Sequence, residues 1–176
     1  LEDLKAAASL FRPVFDATNG IDGWVSLEVS PLLANDATQT IQAAVQLHEA
    51  ANRPNLFIKI PGTAAGAQAI EESIFNGVHV NVTLLFSREH HLSAAEAYLR
   101  GIERRIEAGM DPNITSVASL FVSRRDVGVK QEVAPVLHNR LGIAIAMRTY
   151  EAYRDLLASP RWRKLADAGA RAQRLL

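Results

Sequence analysis

Four short runs rich in β-branched and aromatic residues recur along the chain, at Trp24 to Val29, Leu56 to Ile60, His79 to Phe86 and Ile114 to Val122. Each is short enough to be a strand, and stretches with helical spacing separate them. Strands that alternate with helices of a dozen residues or more form βαβ units, which require a parallel sheet joined by right-handed crossovers. The class is therefore α/β. The helix ends are readable too. Asn35 or Asp36 can cap a helix running to about Asn52, Thr63 can open one closed by Gly77, and Ser87 can cap a long one ending near Gly109. A capping box at Ser93 to Glu96 offers a later start for that third helix, but Ser87 follows the strand directly and is the preferred cap. Beyond Val122 the pattern is helical from about Val129 to Ala158, with a break or first turn at Pro135. A last helix is expected from Arg161 to about Ala172, opened by Pro160, with a possible strand beginning at Arg174.

Composition narrows the function classes. The 176 residues carry 19 Lys+Arg against 19 Asp+Glu, so the global basic field that non-specific nucleic-acid binding needs is missing. Cysteine is absent, which removes disulfides, thiolate metal sites and thiol nucleophiles. No apolar run reaches the roughly 18 to 20 residues of a membrane helix, and acids at Glu2 and Asp3 do not suit a signal peptide. The expectation is one cytoplasmic domain, with neither nucleic acid nor membrane as partner.

The strands are nearly continuous in apolar residues, yet each carries polar residues near its carboxyl end: Glu28, Lys59, Asn81 with Thr83, and Ser119. Ligand chemistry gathers at that end of parallel sheets. Lys59 lies between Ile58 and Ile60 just before Pro61-Gly62. Burial there would favour the neutral amine that attacks carbonyls, whereas an edge position would let the ammonium reach solvent; the local sequence allows both. Glu28 reads as an acid at a site or as a structural partner for a lysine. Asn81 and Thr83, two apart, share one face, with Val80, Val82 and Leu84 on the other. Arg124, just past the fourth strand, reads as a phosphate ligand or as part of a solvated turn with Arg125 and Asp126.

Other constellations carry less chemistry. His90 and His91 diverge on a helix, and His48, His79 and His138 are scattered, so no metal site is expected. Gly62 to Gly66 lacks the Gly-Lys-Ser/Thr of a phosphate loop and reads as a tight turn with a close-packed helix start. Arg161, Arg163 and Lys164 read as a solvated face opposite Asp167, and the tyrosines and apolar residues of Ile143 to Leu157 as core.

Together, Ser26-Leu27-Glu28-Val29-Ser30-Pro31, Phe57-Ile58-Lys59-Ile60-Pro61-Gly62-Thr63, Asn81-Val82-Thr83-Leu84-Leu85-Phe86-Ser87 and Ala118-Ser119-Leu120-Phe121-Val122-Ser123-Arg124 resemble the transaldolase family, particularly its longer bacterial type. The similarity continues through Arg161-Trp162 and Gly169-Ala170-Arg171, and covers essentially the whole chain. It implies part of a (β/α)8 TIM barrel, a fold that typically takes about 250 residues. Residues 1–176 are then a single domain holding roughly strands three to six, without the first two and last two strands. With those strands go the family's acid-base Asp, a substrate-binding Asn and the phosphate-binding loop, so poor turnover is expected of the chain alone.

The resemblance further implies Schiff-base transfer of a dihydroxyacetone unit between sugar phosphates in the pentose phosphate pathway. Fructose 6-phosphate, sedoheptulose 7-phosphate, erythrose 4-phosphate and glyceraldehyde 3-phosphate are the implied substrates. No metal or organic cofactor is implied. Lys59 matches the nucleophile, Glu28 and Thr83 the pair that holds a water, Asn81 and Ser119 substrate contacts, and Arg124 a phosphate ligand. Two alternatives stand beside transfer. One is a class I aldolase releasing free dihydroxyacetone; the other is a non-catalytic fragment that binds sugar phosphate or assembles with a complementary piece through open sheet edges.

Overall fold

The computed structural model describes residues 1–176. It opens with helix α1 (Glu2–Ala17), followed by β1 (Val25–Glu28), α2 (Ala37–Ala51), β2 (Leu56–Pro61), α3 (Ala64–Phe75), β3 (Val80–Leu85), α4 (Arg88–Glu107) and β4 (Ser116–Leu120). The chain continues through α5 (Ser123–Val129), α6 (Leu141–Ala158), α7 (Pro160–Asp167) and the short β5 (Arg174–Leu175). All five strands are parallel, and their order in space, β1-β2-β3-β4-β5, is their order in sequence.

Side-chain oxygens start the helices where the sequence has short polar residues. Asp36 accepts from the Gln39 amide, Thr63 from Gly66, Ser87 from His90 and Ser159 from Trp162, each satisfying a backbone donor that the first turn leaves free. Ser93 lies within α4 and starts nothing. The Gly62–Gly66 turn is a close approach, as expected: a Cβ on Gly66 would lie 1.8 Å from the Pro61 carbonyl oxygen.

The core forms where α2, α3 and α4 cover one face of the sheet. Leu56, Ile58, Ile60, Val80, Val82 and Ala118 point into it and are fully buried. The alternate residues line the opposite face. At the amino end of that face Trp24 stacks on Phe57 at 4.1 Å and meets the edge of His79 at 5.1 Å. The sheet curls enough for its last strand and the segment leading into it to reach the turn before its first: Arg171 donates to the carbonyl of Asn19 (3.0 Å) and Arg174 to that of Ile21 (2.6 Å).

Several expectations need correction. Helix α1 was not anticipated; it lacks a side-chain cap and contains Pro13, yet Asn55 fixes it from a distance by donating to the carbonyls of Ala8 and Gly23. The helix expected from Val129 begins only at Leu141, because both carboxylate oxygens of Asp126 accept from the Gly142 amide at 3.2 Å and cap α6 across 16 residues of chain. The last helix stops at Asp167 rather than Ala172, and Gly169 at φ +99° turns the chain into β5. The Ile143 to Leu157 stretch is not all core: only one stripe of α6 packs inward, and Ile143, Met147 and Tyr150 are exposed. Arg161 does not face Asp167; it is held by Glu96 and Glu103 of α4 at 2.7 and 2.6 Å, and the neighbouring Trp162 is buried. Nor are all the histidines scattered, since the rings of His48 and His79 lie 6.0 Å apart.

Gly66→Ala should destabilise the fold by about 2 kcal/mol or more, since the new methyl meets backbone rather than a side chain that can turn away. Gly128→Ala in α5, with nothing within 4 Å, should instead be neutral or stabilise by up to about 1 kcal/mol. Urea unfolding of both variants checks the contrast.

Burial lowers the pKa of His79 to about 4, with His48, Arg171 and Arg105 adding repulsion, while the Thr115 amide donates to Nδ1 and so holds that nitrogen unprotonated. The native state therefore refuses a proton that the unfolded chain accepts near 6.5. Stability is full above pH 6.5 and is lost as the pH falls toward 4, by about 3 kcal/mol at 1.36 kcal/mol per unit. His79→Gln should flatten that fall, measured as the urea midpoint between pH 7 and 4.5.

Candidate active site

Register places the polar side chains in a row. Glu28 is the Cα partner of Lys59, and Lys59 of Asn81, so three adjacent parallel strands contribute one residue each at the same height. All three lie on the face opposite the core, because their neighbours Leu27, Ile58, Ile60, Val80 and Val82 point toward the helices. Lys59 Nζ lies 3.5 Å from Glu28 Oε2. The Lys59 side chain remains 28% exposed and that of Glu28 49%, so of the two readings the strand allowed, a dehydrated amine or an ammonium that reaches solvent, the structure shows the second, in a half-open ion pair. On the other side of the row Ser119 Oγ donates to Asn81 Oδ1 at 2.8 Å, and Asn81 Nδ2 donates to Ser26 Oγ at 3.2 Å.

Thr83 sits one step nearer the carboxyl end, opposite Pro61, and is 2% exposed; its hydroxyl makes no hydrogen bond within the chain. Just after it, β3 breaks step. The β3–β4 pairing shifts between Val82 and Leu85, and Leu84 adopts φ +60°. This bulge turns Leu84 outward and buries Leu85, so Leu84 does not share the core face of Val80 and Val82 as simple alternation predicts. The displaced strand still holds its neighbours, through the Gly62 amide on the Thr83 carbonyl and the Phe121 amide on the Leu85 carbonyl, both at 2.8 Å.

Arg124 stands apart from the row. It occupies the first turn of α5, with its guanidinium 4.0 Å from the centre of the Phe121 ring, and Phe121 stacks on Phe86 at 5.3 Å. Arg125 approaches Phe86 from beside it at 5.5 Å. Two cations thus rest on an aromatic pair at the carboxyl rim, an arrangement that suits an anion more than a neutral ligand. The aromatic pair and Ser26 were not singled out from sequence. Ser26 stands two residues before Glu28, and that period-2 spacing could have found it.

A cavity of about 410 Å³ opens at the opposite, amino-terminal end of the sheet, beside Trp24, His79, Asn113, Thr115 and Arg171. None of the row residues lines it.

The family model for transaldolase/fructose-6-phosphate aldolase matches residues 1–167. The chain belongs to the transaldolase/fructose-6-phosphate aldolase family. It is 48% identical over 182 residues to "Transaldolase 1" of Streptomyces avermitilis, covering 99% of this chain and 48% of that protein. The transaldolase of Thermobifida fusca is 45% identical, with 99% and 50% covered, and "Transaldolase 2" of Nostoc sp. is 39% identical over 191 residues, with 99% and 50% covered. The transaldolase-family chain thus spans about half the length of the curated relatives it matches. Its five parallel strands with outer helices are part of an α/β barrel. No helix is long and apolar enough to cross a membrane.

The ion pair of this transaldolase-family site is open to water, so its contribution to folding is small, about 0 to 1 kcal/mol. Glu28→Gln should accordingly leave the melting temperature within a few degrees of the parent. A large loss of stability would make Glu28 a structural partner of Lys59 rather than a site residue; differential scanning calorimetry decides between them.

Proposed function

We propose that the chain carries the Schiff-base half of a transaldolase site. The five strands correspond to the third to seventh of the family barrel, and the setting is cytoplasmic sugar-phosphate metabolism. The observation that carries the reading is the in-register row Glu28–Lys59–Asn81, with a lysine amine 3.5 Å from a carboxylate at the carboxyl end of a parallel sheet.

In this reading Lys59 gives a proton to solvent or to Glu28, and its nitrogen attacks the keto carbon of a ketose phosphate such as fructose 6-phosphate or sedoheptulose 7-phosphate. The carbinolamine loses its hydroxyl as water, assisted by a water held between Glu28 and the free hydroxyl of Thr83, and leaves an iminium on Lys59. A base then removes the proton of the C4 hydroxyl. The C3–C4 bond breaks, and its electron pair moves into the iminium to form an enamine. The aldose phosphate departs as the aldehyde, while the three-carbon unit stays on Lys59 with its hydroxyls against Asn81 and Ser119. The enamine carbon then attacks the aldehyde of a second aldose phosphate, erythrose 4-phosphate or glyceraldehyde 3-phosphate, and water hydrolyses the resulting iminium. Arg124 holds the phosphate at the rim. The family description includes fructose-6-phosphate aldolase, and this supports a second outcome on the same residues, in which protonation and hydrolysis release free dihydroxyacetone.

Borohydride added during incubation with fructose 6-phosphate should reduce the imine and add a three-carbon or sugar-sized mass to the peptide containing Lys59. Lys59→Arg should abolish the label, since arginine keeps the charge without the nucleophile. A label on Lys5, Lys130 or Lys164 instead would overturn the assignment.

A further inference from the structure

Asn81 has four hydrogen-bonding positions on its side-chain amide: an oxygen that accepts twice and a nitrogen that donates twice. Its oxygen receives the Ser119 hydroxyl at 2.8 Å, and one nitrogen proton goes to Ser26 Oγ at 3.2 Å. Ser119 lies on β4 and Ser26 on β1, so the three side chains form a chain of donors running from β4 through β3 to β1, passing over β2 and hence beside Lys59. Every donor in it points the same way. The serine hydroxyl at the end of that chain and the second proton of Asn81 Nδ2 have no acceptor within the protein.

We infer that Ser26 is a positioning residue for the substrate contact made by Asn81: together with Ser119 it holds the Asn81 amide from both sides and so presents its remaining N–H to the ligand on Lys59. The inference rests on the proposed imine chemistry at Lys59. A serine hydroxyl can donate to the amide oxygen or accept from its nitrogen with similar ease, so a hydroxyl on each side holds the amide between β1 and β4 whichever way it is turned, and in either orientation one N–H is left over. Ser26 is exposed and packs against nothing that the core needs, and its neighbour Leu27 makes the contacts toward the helices. Its replacement therefore reads out the relay and not the fold. The ligand groups matched by a single, directed N–H are a hydroxyl or carbonyl oxygen of the bound three-carbon unit.

The test combines two measurements on the chain and its variants. In ¹⁵N–¹H spectra, Ser26→Ala should shift one of the two Asn81 side-chain amide protons and speed its exchange with water, while backbone resonances away from β1 stay in place. In borohydride trapping, the concentration of fructose 6-phosphate giving half-maximal labelling of Lys59 should rise about two- to tenfold in Ser26→Ala, the range expected for one net hydrogen bond. The maximal labelling should be unchanged. Ser26→Thr, which keeps the hydroxyl on a β-compatible side chain, should restore both readouts. In an Asn81→Ala background, Ser26→Ala should add no further loss, because its effect passes through the missing amide. Multiplying losses in that double variant, or Asn81 amide resonances indifferent to Ser26→Ala, would overturn the inference. A parent chain that forms no adduct at Lys59 would overturn the proposed function instead, and the amide resonances would then decide the relay alone.

Discussion

Parallel strands whose spatial order repeats their sequence order force every crossover to step the same way, so the helices between them all lie on one side of the sheet. One face receives α2, α3 and α4 and becomes the core. The other receives no helix and can be sheltered only by the sheet's own curvature. The rest of the structure follows from this asymmetry. Residues of β2 and β3 that face the helices are apolar, because a polar group there would be dehydrated without partners, and Ser116 on β4 is buried only with its hydroxyl on the Val80 carbonyl. Residues on the inner face alternate with them and are free to be aromatic at the amino end, as Trp24 and Phe57 are, or charged at the carboxyl end, as Glu28 and Lys59 are. The sheet's curl is held by Arg171, just before β5, and Arg174, on it, which reach the carbonyls of Asn19 and Ile21.

Outside the sheet, ionic contacts tie the helix layer together. Glu71 and Glu72 of α3 hold Arg100 and Arg104 of α4, and Arg161 at the start of α7 bridges Glu96 and Glu103. Exposed pairs of this kind are individually weak, but a connected set fixes the sliding of one helix over the next. The site residues are thereby carried on strands whose spacing is set from behind, and only the rim groups, Arg124 and Arg125 on the short α5, lie on a less supported element.

What could be read from the chain depends on how local the determining interaction is. The four main strands and the three helices between them were legible, because alternation, apolar runs and the caps Asp36, Thr63 and Ser87 act within a few residues. Features set at long range were not. Helix α1 has no cap of its own and depends on Asn55; the start of α6 depends on Asp126; the true partners of Arg161 sit on α4. At the site, the row of Glu28, Lys59, Asn81 and Ser119 was legible as a set of strand-end polar residues. Two things were not: the openness of the Lys59–Glu28 pair, which depends on how far the sheet curls, and the bulge at Leu84, where a left-handed φ in a leucine breaks the period-2 pattern with no glycine to announce it. Ser26 was visible only as a small residue in a strand until the fold brought β1 within reach of β3.

The same openness explains why a lysine can sit on a strand of otherwise apolar residues. An ammonium enclosed on the core face would face a desolvation cost of several kcal/mol, which its attraction to one carboxylate repays only in favourable geometry. On the inner face Lys59 keeps part of its hydration and a partner at 3.5 Å, so the folded state does not depend on a buried bare charge. A polar row of this kind adds little to stability. Its placement is instead a consequence of register: once Ile58 and Ile60 are driven into the core, Lys59 must project to the other side, at the height of Glu28 and Asn81. The hydrophobic pattern of the strands is thus what aims the polar groups. A shift of one residue in the β1–β2 register would send Glu28 toward the helices and dissolve the row, at a cost far larger than the ion pair itself could prevent.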